Sequence, residues 1–373
     1  MKEKKNERCL RSCLLLGLAI LLVGCGVSTE GTSVLQMPAE SGSRTASGEN
    51  TESEAADADT KMERNPVETT VILTHTMPES SELHRAALYF KDTLEDISGG
   101  SMTVDIYADD SLGNIEDVNY FMNDTIDMRF GTGPVQAIPR IAYFPLIQDI
   151  SIECMWEAMQ PGTPIWELTS QQAEDAGALF LGVFPATPRL LTSNQPITSV
   201  DDMKELKLRT FSNTIEAQIW QAFGVETTAL PIRQVSLALK EGVVDAEENP
   251  ISVIEAYRFY ENQKYVIRTD HRYYMDAVWM SQNFFRSLPE EQQNWILEAV
   301  NQMLDQYDVD HSIEYEQQVQ TELEEKGVEF LDFPDSEKQK MRELVGPVIE
   351  EYFGKEAMDQ LWDAFVESVD HVY

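Results

Sequence analysis

ATPRLLTSNQPITSVDDMKELKLRTFSNTIEAQIWQAFGVETTALPIRQVSLALKEGVVDAEENP, residues 186–250, carries most of the information about the fold. Within it the run LKLRTF (206–211) predicts a strand, and Ser199 before VDDMKEL has the Ser-x-x-acid form that caps a helix start. Arg189 and Arg209 stand twenty residues apart. That spacing is too wide for local geometry, so a joint role requires pairing between strands. Glu247 and Glu248 are adjacent and, in an extended segment, point to opposite faces, which makes them a poor general acid–base pair.

Outward from this stretch, short β-branched or aromatic runs alternate with amphipathic helical stretches: TTVILTH (69–75), MTVDIYA (102–108), IDMRFG (126–131) and GALFLGVF (177–184). Strand–helix alternation predicts an α/β fold. Ser287-Leu288-Pro289-Glu290 before EQQNWILEAV and Ser336 before EKQKMRELVGPVIEEYF repeat the capping form. The helix after Ser287 is expected to be long, running to Lys326, because apolar residues keep three-four spacing from Trp295 and no proline occurs before Pro334. The last 35 residues predict a helical pair, with Leu344, Val348, Tyr352 and Phe353 on one apolar face and Met358, Leu361, Trp362 and Phe365 on the next.

The amino terminus reads as an export signal. Basic residues from Lys2 to Arg11 precede an apolar run, Leu14–Gly24, that is too short for a membrane span of about 20 residues. Leu22-Val23-Gly24-Cys25 resembles the bacterial lipobox, which implies a signal peptide over residues 1–24 and a lipidated Cys25. Residues 26–66 are rich in Ser, Thr, Glu, Gly and Ala and cannot bury enough surface to fold. They read as a leash with an end-to-end distance of about 35 Å. With Cys9 and Cys13 in the leader and Cys25 lipidated, Cys154 in SIECMW reads as a buried small hydrophobe with no disulfide.

The 373 residues suggest two or three domains, and the 42% hydrophobic content suffices for packed cores. A formal net charge of −37 makes nucleic acid a poor partner. It does not set the sign of the ligand, because a few arginines in a closed cleft can dominate the local field. No GxSxG, HExxH, Walker loop, GxGxxG after a strand or CxxC occurs, and the five histidines have no metal-ligand spacing. Neither an enzyme, nor a metal, nor a cofactor is expected.

The order of motifs from Arg189 through Pro196-Ile197, Asp202–Arg209, Gly224, Pro231, Ala238-Leu239 and Gly242–Asp245 to Glu248-Asn249-Pro250 resembles the DctP family. These are the substrate-binding proteins of TRAP (tripartite ATP-independent periplasmic) transporters. His84–Ala87, Ser98–Gly100, Leu112-Gly113, Phe259–Glu261, Thr269–His271 and Leu288-Pro289 extend the resemblance over nearly all of residues 69–330. It implies a two-lobed periplasmic-binding-protein-like fold with crossing strands and a long lobe-spanning helix. Lobe I would be 69–186 plus 275–314, and lobe II 187–274 plus 315–373.

By this resemblance Arg209 matches the family arginine that grips the solute carboxylate, a role suited to a planar guanidinium with two parallel donors. Arg189 takes the place of a second cationic contact and Asn249 that of an amide donor. Where the family commonly has an apolar or aromatic residue and then an acid, this chain has Ile232-Arg233-Gln234, so Ile232 gives a smaller wall and Gln234 is neutral. Gly131-Thr132-Gly133 replaces an acid or amide, so Thr76 and Thr132 are expected to offer hydroxyl and backbone groups, and Tyr274 to close over the solute. The implied function is a lipid-anchored, monomeric extracytoplasmic receptor that delivers a small organic acid, of the sugar-acid or dicarboxylate class, to a membrane permease. The alternatives are an ABC-type solute-binding lipoprotein for a neutral ligand and a ligand-sensing surface lipoprotein.

Overall fold

A computed structural model describes residues 69–371 apart from 110, 113–124, 136 and 212–213. The expected signal peptide, lipidated Cys25 and leash therefore lie outside the described residues. Twelve strands are described: β1 Thr69–His75, β2 Met102–Tyr107, β3 Met128–Gly131, β4 Ala178–Val183, β5 Thr187–Ser193, β6 Lys207–Thr210, β7 Glu226–Ala229, β8 Ala246–Pro250, β9 Tyr265–Arg268, β10 Tyr273-Tyr274, β11 Ala277–Ser281 and β12 Glu329–Asp332.

They form two sheets. The first runs β2-β1-β3-β11-β4; the second runs β12-β9-β5-β8-β6-β7, with β10 alongside β5. β1 is parallel to β2 and β3, whereas β11 is antiparallel to β3 and β4. Ser81 caps the Glu82–Ile97 helix by accepting from His84 N, and Leu83, Ala86, Ala87, Phe90 and Leu94 are its buried residues. This one-sided stripe is what an amphipathic helix between parallel strands must present to its sheet.

The chain passes between the sheets at Phe184–Ala186 and again at Met275-Asp276, and Phe184 N donates to Asp276 O at 2.8 Å to tie the two crossings together. A third passage runs through the helices Glu290–Gln306 and Val309–Glu325, between β11 and β12. Here the structure corrects the expected single long helix. Tyr307 leaves helical geometry (φ −107°, ψ 48°), and the Asp308 side chain starts a new helix by accepting from His311 N at 2.9 Å. An aspartate can do this because its short carboxylate reaches the exposed N–H groups of a new first turn.

Two of the three expected serine caps are likewise absent. Ser199 does cap, reciprocally with Asp202, but over a single 3-10 turn, Val200–Met203. Ser287 instead ends the Gln282–Ser287 helix, its hydroxyl donating to Phe284 O at 2.6 Å, and Pro289 and Pro334 stand at the starts of the next helices. Proline needs no partner for a backbone N–H it lacks. The C-terminal pair is present as Asp335–Phe353 and Lys355–His371. It packs back on the segment between β3 and β4, with Phe144 edge-on to Trp362 at 5.1 Å and Ser368 Oγ accepting from Ile165 N at 3.0 Å. Cys154 is buried as expected, and its disulfide pairing, expected to be absent, turns on cysteines that lie outside the described residues. Among the described residues no helix is long and apolar enough to cross a membrane.

Candidate functional site

Three neighbouring strands of the second sheet assemble the site. β5 and β8 are antiparallel, with Arg189 opposite Pro250 and Thr192 opposite Glu247; β6 and β8 are parallel, with Arg209 opposite Glu247. Residues far apart in sequence are thus adjacent through backbone pairing, as the arginine spacing required. β8 reads AEENP, and all five of its residues are buried. Its two acids divide between different partners. Glu248 receives Arg189, through Nε at 2.5 Å and Nη2 at 2.8 Å, and His271 Nε2 lies 3.1 Å from the same carboxylate. Glu247 is bound by Thr192 Oγ1 at 3.0 Å and by Asn249 Nδ2, which donates at 2.6 Å.

The charges in this network follow from burial and pairing. Burial opposes ionisation of Glu248, but Arg189 and His271 outweigh it and hold the carboxyl below the usual range; the same pairing holds Arg189 above its ordinary value despite burial. Arg209 is 1% exposed. Its Nε and Nη2 both donate to Leu230 O, at 2.9 and 2.8 Å, and among the described residues it has no carboxylate within ion-pair distance. Burial accordingly lowers its pKa, against the attraction of Glu247 and Glu248. A guanidinium stays protonated under such a shift. The outcome is a buried cation held in place by a carbonyl and lacking an ionic partner of its own among the described side chains.

Asn249 is oriented from both ends, since Oδ1 accepts from Arg189 Nη2 at 3.1 Å while Nδ2 donates to Glu247. One amide hydrogen remains for another acceptor. Tyr274 lies with its ring centre 5.8 Å from the Arg189 guanidinium carbon, and burial, with the Asp276 carboxylate nearby, raises its hydroxyl well above the ordinary tyrosine value. Thr132 receives Arg129 Nε on its carbonyl at 3.0 Å, one residue beyond β3, and Thr76 stands one residue beyond β1, the neighbouring strand. Ile232 packs on the apolar core at the start of the Ile232–Lys240 helix, whereas Gln234 is exposed in that helix's first turn, apart from the buried network. Beside it Arg233 forms an ion pair with Asp109, which follows β2 of the other sheet, at 3.2 Å.

Thr192 and Arg129 are absent from the sequence reading, and Glu247 and His271 enter it with no part assigned in the site. Their signal is non-local: Glu247, Thr192 and Arg129 are placed by strand pairing, and His271 by its contact with Glu248, rather than by a motif. Two crevices flank the crossing strands. One, of 680 Å³, is walled by Phe184, Tyr274, Tyr307, His311 and Tyr315; the other, of 710 Å³, is rimmed by Asp149, Arg268, Glu316, Lys338 and Arg342. Of the residues expected at the site, Tyr274 lines the first and none lines the second. Among the described residues no group of three or more His, Cys, Asp or Glu could hold a metal ion.

Residues 73–356 match the family described as bacterial extracellular solute-binding protein, family 7. A solute-binding protein of Roseobacter denitrificans is 27% identical over 305 residues, covering 77% of this chain and 92% of the relative. Its crystal structure with bound L-galactonate, a TRAP periplasmic solute-binding protein, has a TM-score of 0.68 over 79% of this chain and 99% of that one. The ectoine-binding periplasmic protein TeaA of Halomonas elongata is 28% identical over 292 residues, 73% of this chain and 82% of the relative. A TRAP solute-binding protein of Desulfovibrio salexigens shares the fold at 22% identity, with a TM-score of 0.72 over 82% of this chain and 99% of that one. With the family model covering most of its length, the chain belongs to the family 7 bacterial extracellular solute-binding proteins, the DctP family of TRAP transporter receptors.

Proposed function

We propose that this receptor captures a small organic acid, a hydroxylated sugar acid foremost, by closing two lobes over an Arg209 clamp, and that it works from a lipid anchor at Cys25. The observation that carries the reading is the state of Arg209, a buried guanidinium fixed by Leu230 O and without an ion pair among the described residues. A buried charge of that kind is costly unless an anion completes it. A solute carboxylate is the group that fits a guanidinium edge. Arg189 is already committed to Glu248. Its part is to set the Asn249 amide and the Tyr274 ring rather than to hold the solute charge alone.

The two lobes, 69–186 plus 275–314 and 187–274 plus 315–373, would each carry one of the sheets, and Thr76, Thr132 and Ile232 would meet the solute on closure. Binding then selects the closed state, because only that state adds first-lobe contacts to the clamp. The R. denitrificans relative binds L-galactonate, which supports the sugar-acid class. The receptor performs no chemistry on its solute and hands it, as a monomer, to permease subunits in the membrane.

The test is a thermal-shift and calorimetric screen of organic acids against neutral sugars and amines. A ligand at a hundred times its dissociation constant adds about 2.7 kcal/mol of stability. Acids are expected to shift the melting temperature, and Arg209→Ala to weaken their binding by about 2–5 kcal/mol. Shifts with neutral compounds alone, indifferent to Arg209, would instead assign an ABC-type receptor. Turnover of a bound acid would overturn the non-enzymatic reading.

A further inference from the structure

Thr192 Oγ1 lies 3.0 Å from Glu247 Oε1 and 3.1 Å from Gln263 Oε1, with the Glu247 backbone carbonyl at 3.4 Å. The Gln263 amide is oriented by Nε2 donating to Asn262 O at 2.8 Å, so it is the amide oxygen that faces Thr192. All three side chains are buried. A threonine hydroxyl has one hydrogen. It cannot donate to the carboxyl and to the amide oxygen at once, and two opposed lone pairs in a dry site are costly.

A proton on Glu247 Oε1 removes the conflict. Glu247 then donates to Thr192, Thr192 donates to Gln263, and Glu247 Oε2 continues to accept from Asn249 Nδ2 at 2.6 Å. We propose that Glu247 is a neutral carboxylic acid in the closed site, that it fixes the Asn249 amide for the solute, and that it couples capture of an organic anion to proton uptake. The inference rests on the receptor reading above for its solute and on the hydrogen-bond geometry for its proton.

The charges around Glu247 agree. Burial pushes its carboxyl up to about 7; Glu248 adds to the rise, and Asn249, Thr192 and Arg209 oppose it. Arg209 faces it from β6, and Glu248 neighbours it in β8, already claimed by Arg189 of β5 and by His271. Glu216 of the Thr214–Ala222 helix is paired with Arg272. With Glu247 neutral, Arg209 is left as the cation that awaits an anion. An arriving carboxylate adds like charge beside Glu247 and engages the arginine that favoured its ionisation, so the Glu247 pKa rises further in the complex. The complex therefore holds more protons than the free protein, and affinity falls as pH climbs above about 7, by up to about tenfold per pH unit for one linked proton.

Two measurements on the purified full-length protein decide this. The first is a carboxyl carbon-13 titration of glutamate-labelled, solute-free protein, with the Glu247 resonance identified by its loss in Glu247→Gln. A midpoint near 7 is expected; a midpoint in the ordinary carboxylate range overturns the proposal. The second is calorimetry of L-galactonate binding to the wild type near pH 8 in two buffers of different ionisation enthalpy. Uptake of a substantial fraction of one proton is expected, with the pH slope abolished in Glu247→Gln; binding without proton uptake overturns the coupling. Should neither L-galactonate nor any other organic acid bind, the receptor reading fails, while the solute-free titration still decides the state of Glu247.

Discussion

Arg189 grips both carboxylate oxygens of Glu248, at 2.5 and 2.8 Å, with neither side chain more than 6% exposed. The pair is the structural floor of the site, since the same guanidinium also orients Asn249. Removing one partner strands the other as an uncompensated buried charge. Glu248→Gln is expected to cost about 3–5 kcal/mol of folding stability, measured by urea denaturation. The pair also sets an acid limit. The folded Glu248 carboxyl titrates below its ordinary range, so its contribution is complete above the unfolded carboxylate value near ~4.3 and is lost as pH falls through the folded value. Wild-type stability should therefore drop in that acid window more steeply than that of Glu248→Gln.

Arg233 and Asp109 join the two sheets at the surface, 3.2 Å apart, with side chains 56% and 44% exposed. An exposed pair of this kind contributes little, about 0–1 kcal/mol, and is screened by salt. Arg233→Ala is expected to weaken solute binding by no more than about fivefold at low ionic strength, a loss within that energy range. The difference from wild type should vanish near 1 M salt, where the screening length is about 3 Å. Titrations at two salt concentrations check both statements.

Gly133 lies against the indole of Trp279, where an added Cβ would come within 2.1 Å of the ring. Trp279 is itself fixed, its Nε1 donating to Gly131 O at 2.8 Å. The ring cannot swing aside, so the loop must move. Gly133→Ala is expected to cost about 1–3 kcal/mol by overpacking and to displace Thr132. A lowered melting temperature together with weakened acid binding is the expected readout.

Cys25 closes the expected lipobox. Cys25→Ser should move the protein from the membrane fraction to the soluble exported fraction, and radiolabelled fatty acid should no longer be incorporated. Solute affinity should not change, because none of the residues proposed to hold the solute lies in the leader or the leash.

Legibility in the sequence tracked how local each structural cause is. β1 was readable to the residue because TTVILTH is β-branched and apolar. β8 was not readable as a strand, since Glu, Asn and Pro all disfavour one; the arginines, Thr192 and the pairing with β5 and β6 create the environment in which it is stable. For the same reason Arg209, Arg189 and Asn249 can be singled out by motif order, while Glu247 stands out only as half of an adjacent acidic pair unsuited to acid–base work. The helix after Ser287 was misjudged in the opposite way. Its composition is helical throughout, and the break at Tyr307 depends on a single capping carboxylate, Asp308, that is indistinguishable in composition from its acidic neighbours.

That break gives the molecule a mechanical property. A continuous rod of the expected length would resist flexion along its whole span, since any bend must stretch hydrogen bonds on its convex side. Here each segment keeps its own closed set of bonds, and the cap at Asp308 belongs to the second segment alone. The departure from helical geometry is confined to Tyr307 and Asp308, so a change in the angle between the two rods would require no hydrogen bond inside either to break.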